Sequence, residues 1–174
     1  MDNLQDIARH IELVIFDVDG VLTDGSLFLG DDGQEYKAFN SRDGHGIRML
    51  HEAGIRSAIL TGRQSEVVRH RARDLGIDIV MQGHRDKRPA FDQLCRDTGL
   101  APARMAYVGD DVVDLPVMTR VGLAIAVNDA HPWVLRHAHW TTAARGGRGA
   151  AREVCEFLLE ARGVLHDTLA GYLT

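Results

Sequence analysis

Acidic residues gather at the ends of two apolar runs. Ile11-Glu-Leu-Val-Ile-Phe16 leads into Asp17-Val-Asp19-Gly20-Val21, and Met105 to Val108 leads into Gly109-Asp110-Asp111 with Asp114 three residues on. Asp17 and Asp19 approach one small pocket if the chain leaves the extended form after Asp17. The acids after Val108 repel one another unless a cation intervenes. Hard oxygen donors that keep water on the metal select Mg²⁺ rather than zinc. A third run ends Leu60-Thr61-Gly62-Arg63, bringing together a hydroxyl, a close-approaching amide and a guanidinium, all groups that recognise phosphate oxygens. Lys87 is one of two lysines in a chain with eighteen arginines, so a compact ammonium charge is specifically wanted there.

These residues need elements to position them. Apolar runs at Ile11 to Phe16, Arg56 to Leu60, Asp78 to Met81, Met105 to Val108 and Gly122 to Ala126 predict buried strands. Helical segments are expected at about Gly46 to Ala53, Ser65 to Leu75, Lys87 to Thr98, Val112 to Thr119 and Ala151 to Arg162. The alternation predicts an α/β fold, a Rossmann-like doubly wound, mainly parallel sheet whose ligands sit at the carboxyl ends of the strands. Ser26 to Phe39 breaks the pattern. Its turn Gly30-Asp-Asp-Gly33 between two short runs predicts a projecting β-hairpin, and no other insertion is large enough for a separate cap domain. Arg145 to Ala150 reads as a flexible basic loop, and Val164 to Thr174 as a C-terminal tail.

The 174 residues, 45% of them hydrophobic, suit a single domain spanning 1–174 with one core. A net charge of −5 offers no basic face for nucleic acid or for an anionic membrane. No stretch reaches the roughly 18 apolar residues of a membrane span, and Met1 to His10 lacks a signal-like pattern, so a soluble cytoplasmic enzyme is expected. Cys95 and Cys155 lie singly in helical segments and are expected as buried, reduced thiols. The nine histidines form no ligand set, although His137 and His139 are spaced to share a strand face.

The ordered motifs DxDGVL, LTGR, Lys87 and GDDxxD resemble the haloacid-dehalogenase superfamily. The resemblance implies that Asp17 attacks phosphorus and that Asp19 protonates the leaving oxygen and later deprotonates water. It further implies that Thr61, Gly62 and Lys87 hold the phosphoryl group. Mg²⁺ would be held by Asp17, the main-chain carbonyl of Asp19, and Asp110, with Asp111 and Asp114 in support. A carboxylate attacking a phosphate dianion needs such cations, because both reactants are negative.

A narrower resemblance runs from about Leu13 to Gly163. Phe39-Asn-Ser-Arg-Asp-Gly-His-Gly46, Tyr107 to Met118, Ala130-His-Pro132 and Gly146 to Val154 are similar to the bacterial 3-deoxy-D-manno-octulosonate 8-phosphate phosphatase family. This implies hydrolysis of a small acidic sugar phosphate in lipopolysaccharide inner-core synthesis. It also implies a homotetramer in which the hairpin mediates assembly and closes a neighbouring site. Substrate contacts are implied for Asn40, Ser41, Arg42, Asp43, Gly44, Arg48, Arg63 and Arg71, besides Lys87. Alternatives stay open: a phosphatase for a nine-carbon ulosonate 9-phosphate, a non-catalytic oligomerisation module of the same fold and, disfavoured by the capless small-molecule pattern, a phosphoprotein phosphatase. Intact Asp17, Asp19, Lys87 and Asp110 weigh against the oligomerisation module, since a module freed from catalysis has no need to keep like charges together.

Overall fold

The computed structural model describes residues 2–173. Its sheet strands are β1 Leu13–Phe16, β4 Arg56–Leu60, β5 Ile79–Met81, β6 Met105–Gly109, β7 Leu123–Ala126 and β8 Trp140–Thr141, and β2 Phe28–Leu29 with β3 Glu35–Tyr36 forms a separate hairpin. The helices are α1 Asp2–Arg9, α2 Ser41–Glu52, α3 Glu66–Leu75, α4 Lys87–Thr98, α5 Leu115–Met118, α6 Pro132–Leu135, α7 Ala150–Ala161 and α8 Leu165–Ala170. The sheet order is β5-β4-β1-β6-β7-β8, parallel throughout. Every residue of β1, β6 and β7 is buried, as a strand covered on both faces requires. Helices flank the sheet: α2 packs on α7, with α1 and α8 also against α7, while α4 packs with α5.

This is the doubly wound order, and the winding reverses between β1 and β6. At such a switch point the connections leave in opposite directions and open a crevice. Register places Phe16 beside Val108, and the Asp17 amide donates to the Val108 carbonyl at 3.1 Å. Asp17 and Asp110 therefore emerge side by side, one at the end of each switch strand.

Several expectations are corrected. The second helix begins at Ser41 rather than Gly46, because the Asn40 side chain caps it by accepting from the amides of Arg42 and Asp43 at 2.9 and 3.3 Å. The segment Val112 to Thr119 splits into a 3₁₀ turn, Val112–Asp114, and the short α5. The sheet has a sixth strand, β8, which two residues flanked by polar neighbours did not announce. His137 follows α6, and His139 pairs with Ala124 by both its amide and its ring instead of sharing a strand face with His137. Cys155 is buried but Cys95 is only partly so. Among the described residues no helix is long and apolar enough to cross a membrane.

Asp43 turns inward from α2 and is buried. Helix α7 starts after Gly149, which has no side chain to cap it, so Asp43 accepts from the amides of Arg152 at 2.8 Å and Gly149 at 3.3 Å. One carboxylate thus joins the two helices. Asp43→Ala is expected to lower unfolding free energy by about 1–2 kcal/mol in urea denaturation, and Asp43→Asn by less because an acceptor remains. An unchanged midpoint in Asp43→Ala would contradict the capping role.

Candidate active site

Lys87 opens α4 and carries its ammonium into the crevice, where its side chain is 1% exposed. Its Nζ lies 3.0 Å from Asp17 Oδ2, and donates to Asp114 Oδ1 at 2.6 Å and to the Tyr107 hydroxyl at 2.9 Å. Tyr107 donates in turn to Asp114 Oδ1 at 2.7 Å, while Asp114 Oδ2 accepts from the amides of Asp110 and Asp111 at 2.9 and 3.2 Å. Asp114 is thereby saturated, and its partners fix both Lys87 and the turn after β6. Burial alone would lower the Lys87 pKa, but Asp114 and Asp17 hold it above its ordinary value.

Asp17, Asp110 and Asp114 each place a carboxylate oxygen within 4.8 Å of the others. Burial, then the Asp114 carboxylate, pushes Asp17 up to about 6 against the pull of Lys87. Burial and the charges of Asp114, Asp17 and Asp111 push Asp110 up to about 8. Carboxylates that must take up protons to coexist form a donor set short of positive charge, and a divalent cation fits it. Since Asp114 is spent on Lys87, Tyr107 and two amides, Asp17 and Asp110 are the side chains left to hold the ion.

The turn between these strands leaves no slack. Gly20 has φ 90°, and a Cβ there would collide with the Asp110 carboxylate. From behind, a Cβ on Gly146 would collide with the Gly20 carbonyl, and the Gly147 amide donates to Val21 at 2.8 Å. The Arg145 to Ala150 segment is therefore a buttress for the Asp17 to Leu22 turn, not the flexible loop expected: Gly146 and Gly147 are both buried. Its glycines are needed for close backbone approach.

Asp19 lies on the same turn and faces the hairpin. Lys37 Nζ donates to Asp19 Oδ1 and to Glu35 Oε1, and Arg63 reaches Glu35 at 2.8 Å and Asp19 at 3.8 Å. Thr61 is buried at the end of β4, and among the described residues neither its hydroxyl nor the Gly62 amide has a hydrogen-bond partner. A cavity of about 530 Å³ opens beside them, lined by Gly62, Arg63, Gln64, Gly83, Arg85, Lys87 and Val113.

The remaining expected contacts do not all meet in that cavity. Ser41, Gly44, Arg48 and Arg71 line a separate hollow of about 240 Å³ around the start of α2. There Arg48 donates to the Asp74 carbonyl and Arg71 to the Asp74 carboxylate, both at 2.7 Å. Asn40 caps α2, Asp43 caps α7, and Arg42 is exposed. The C-terminal segment docks nearby, with the Tyr172 hydroxyl 2.8 Å from His45 Nε2. Sequence reasoning gave no site role to Tyr107, which lies inside an apolar run, or to Lys37. The signal for Lys37 was available: the rarity that singled out Lys87 applies equally to the other lysine.

Comparison with known proteins shows what the chain is similar to. Residues 76–153 match the haloacid dehalogenase-like hydrolase family. The chain is 49% identical to the 3-deoxy-D-manno-octulosonate 8-phosphate phosphatase of Escherichia coli strain K12 over 160 residues, 92% of this chain and 85% of that one. The crystal structure of the enzyme of that name from Yersinia pestis superposes with a TM-score of 0.93 at 47% identity, covering 95% of this chain and 89% of that one. The Moraxella catarrhalis enzyme, solved with magnesium ion, phosphate ion and KDO, gives a TM-score of 0.96 at 38% identity, covering 99% of each chain.

The raised carboxyl pKa values have a consequence for stability. Between the ordinary carboxyl value and about 8, folded Asp110 without metal holds a proton that the unfolded chain has released, so stability from this group falls as pH rises through that window. Metal-free protein is expected to melt lower at about pH 8 than at about pH 5, and Mg²⁺ to restore more at the higher pH, where it displaces fewer protons. Thermal melts in EDTA and in Mg²⁺ check this. A Mg²⁺ increment that is absent, or equal at both pH values, would contradict a carboxylate cation site.

Proposed function

The chain belongs to the haloacid dehalogenase-like hydrolases, among the 3-deoxy-D-manno-octulosonate 8-phosphate phosphatases, and from that premise we propose that it hydrolyses this eight-carbon sugar-acid phosphate to the free acid and phosphate. Its place is then lipopolysaccharide inner-core synthesis, in the cytoplasm. The observation that carries the reading is Asp17 held at 3.0 Å by buried Lys87, beside Asp110 at the switch point.

The Val18 amide holds Asp17 Oδ1 at 2.7 Å and Lys87 holds Oδ2, which fixes the carboxylate for attack. Asp17 attacks phosphorus, the bond from phosphorus to the sugar oxygen breaks, and Asp19 gives that oxygen its proton. Asp19 then takes a proton from water as the water oxygen attacks the aspartyl-phosphate, releasing phosphate and restoring Asp17. Thr61, Gly62 and Lys87 receive the phosphoryl oxygens, Lys87 matching the charge that passes from Asp17 to the leaving oxygen. Asp17, Asp110 and the Asp19 carbonyl would hold Mg²⁺, which would supply charge neutralisation and alignment of the phosphoryl group. Asp111 and Asp114 support the metal side through the turn after β6.

Residues 1–174 act in this reading as one catalytic domain with the hairpin, about 26–39, as a flap, assembled into a homotetramer. The hairpin's outward apolar surface supports this: Leu27, Phe28, Leu29 and Tyr36 are all exposed, at 48%, 54%, 65% and 58%. Removing Gly30 to Gly33, whose bonds close the turn, is expected to loosen assembly and raise KM, read by light scattering and steady-state kinetics. An intact tetramer with unchanged kinetics would leave the hairpin without this role.

Phosphate release tests the substrate reading. Purified protein with Mg²⁺ is offered 3-deoxy-D-manno-octulosonate 8-phosphate, a nine-carbon ulosonate 9-phosphate and hexose phosphates, with an EDTA control. Preference for the eight-carbon ester, abolished by EDTA, is the expected result. Preference for another ester retains the mechanism and changes the substrate, and inactivity on all of them contradicts the enzyme itself.

A further inference from the structure

An acidic sugar presents a carboxylate as well as a phosphate, and the phosphoryl end is already claimed by Thr61, Gly62 and Lys87. The site's arginines are mostly engaged. Arg63 donates to Glu35 through two nitrogens at 3.2 and 2.8 Å, while Arg48 and Arg71 are held by Asp74 in the separate hollow at α2. Arg85 differs. It lines the same cavity as Gly62 and Lys87, is exposed, and among the described residues its guanidinium has neither a hydrogen bond nor an ion pair.

Its position is set by backbone. The His84 amide donates to the Thr61 carbonyl at 3.2 Å and the Gly83 amide to the Arg63 carbonyl at 3.1 Å, so the loop lies alongside the turn after β4. Arg85 Cα would be 3.8 Å from a Cβ built on Gly62. The adjacent acid does not quench it: Asp86 caps α4 through the Arg88 amide and binds the Arg88 guanidinium at 2.9 and 3.1 Å. A cation with no counter-ion, anchored at the rim of a cavity of about 530 Å³ whose floor is Lys87, is built to meet a second anionic group on the same ligand.

We propose that Arg85 recognises the carboxylate of the sugar acid and so sets the preference of this site for acidic over neutral sugar phosphates. The inference rests on the substrate reading above, and adds to it the residue that reads the acid.

The test compares wild type, Arg85→Ala and Arg85→Lys on 3-deoxy-D-manno-octulosonate 8-phosphate and on glucose 6-phosphate, which has no carboxylate. Arg85→Ala is expected to lower kcat/KM for the acid about 10- to 100-fold, chiefly through KM, and to lower it for glucose 6-phosphate by less than about threefold. Arg85→Lys should recover part of the loss, because it keeps the charge without the fork. The free eight-carbon acid, as a competitive inhibitor, should weaken in parallel in Arg85→Ala. Equal losses on both esters would assign Arg85 to the phosphoryl group and overturn the proposal. So would an Arg85→Ala enzyme that keeps the wild-type preference. A wild-type enzyme with no preference for the acid overturns the substrate reading first, and with it the need for a carboxylate partner.

Discussion

The ammonium of Lys87 is the charge on which the site is built. Asp17 and Asp114 are both buried and both acidic, and without a cation between them they could not share so small a volume. Lys87 holds one with each side of its ammonium and takes a further bond to Tyr107. Asp114, which also accepts from Tyr107, in turn orients the amides of Asp110 and Asp111. One buried cation thereby sets the direction of the nucleophile and of the turn that carries the metal-side acids. It leaves Asp110 only partly compensated, and that deficit is what a divalent ion makes up.

Topology supplies the rest. Parallel strands β1 and β6 are neighbours at the switch point, so acids far apart in sequence leave the sheet side by side without strain in either strand. The glycines then decide how close the turns come. Gly20 lets Asp110 approach its backbone, and Gly146 lets the segment before α7 press on Gly20 from behind. Asp43 fixes the start of α7 to α2, so the same segment is anchored at its far end as well. The carboxylates sit on a turn clamped from two sides, which suits chemistry that tolerates little displacement.

Much of this was legible in the sequence, for physical reasons that can be named. Apolar runs of four to six residues ending in acids mark buried parallel strands whose carboxyl ends meet solvent, and Asp17, Lys87, Asp110 and Asp114 meet in space as their motif order implies. What escaped depends on partners remote in sequence. The sequence pattern places the start of α2 five residues late because Asn40 and Asp43 look like loop residues until one is seen to cap its own helix and the other to cap α7. The 145–150 segment reads as flexible by composition, since its glycines show their purpose only against the Gly20 turn. The β8 strand is too short to carry a pattern. Tyr107 lay inside an apolar run, where alternation says nothing about a hydroxyl.

The claim on which the account turns is that Asp17 becomes covalently phosphorylated. Wild-type protein can be mixed with 3-deoxy-D-manno-octulosonate 8-phosphate and Mg²⁺, quenched in acid within the first turnover, digested and examined by mass spectrometry. A phosphoryl group on the peptide containing Asp17, located to Asp17 by fragmentation and absent from the Asp17→Asn control, is the result the account predicts. Product formation with an unmodified Asp17 peptide, or with the phosphoryl group on another residue, would contradict it.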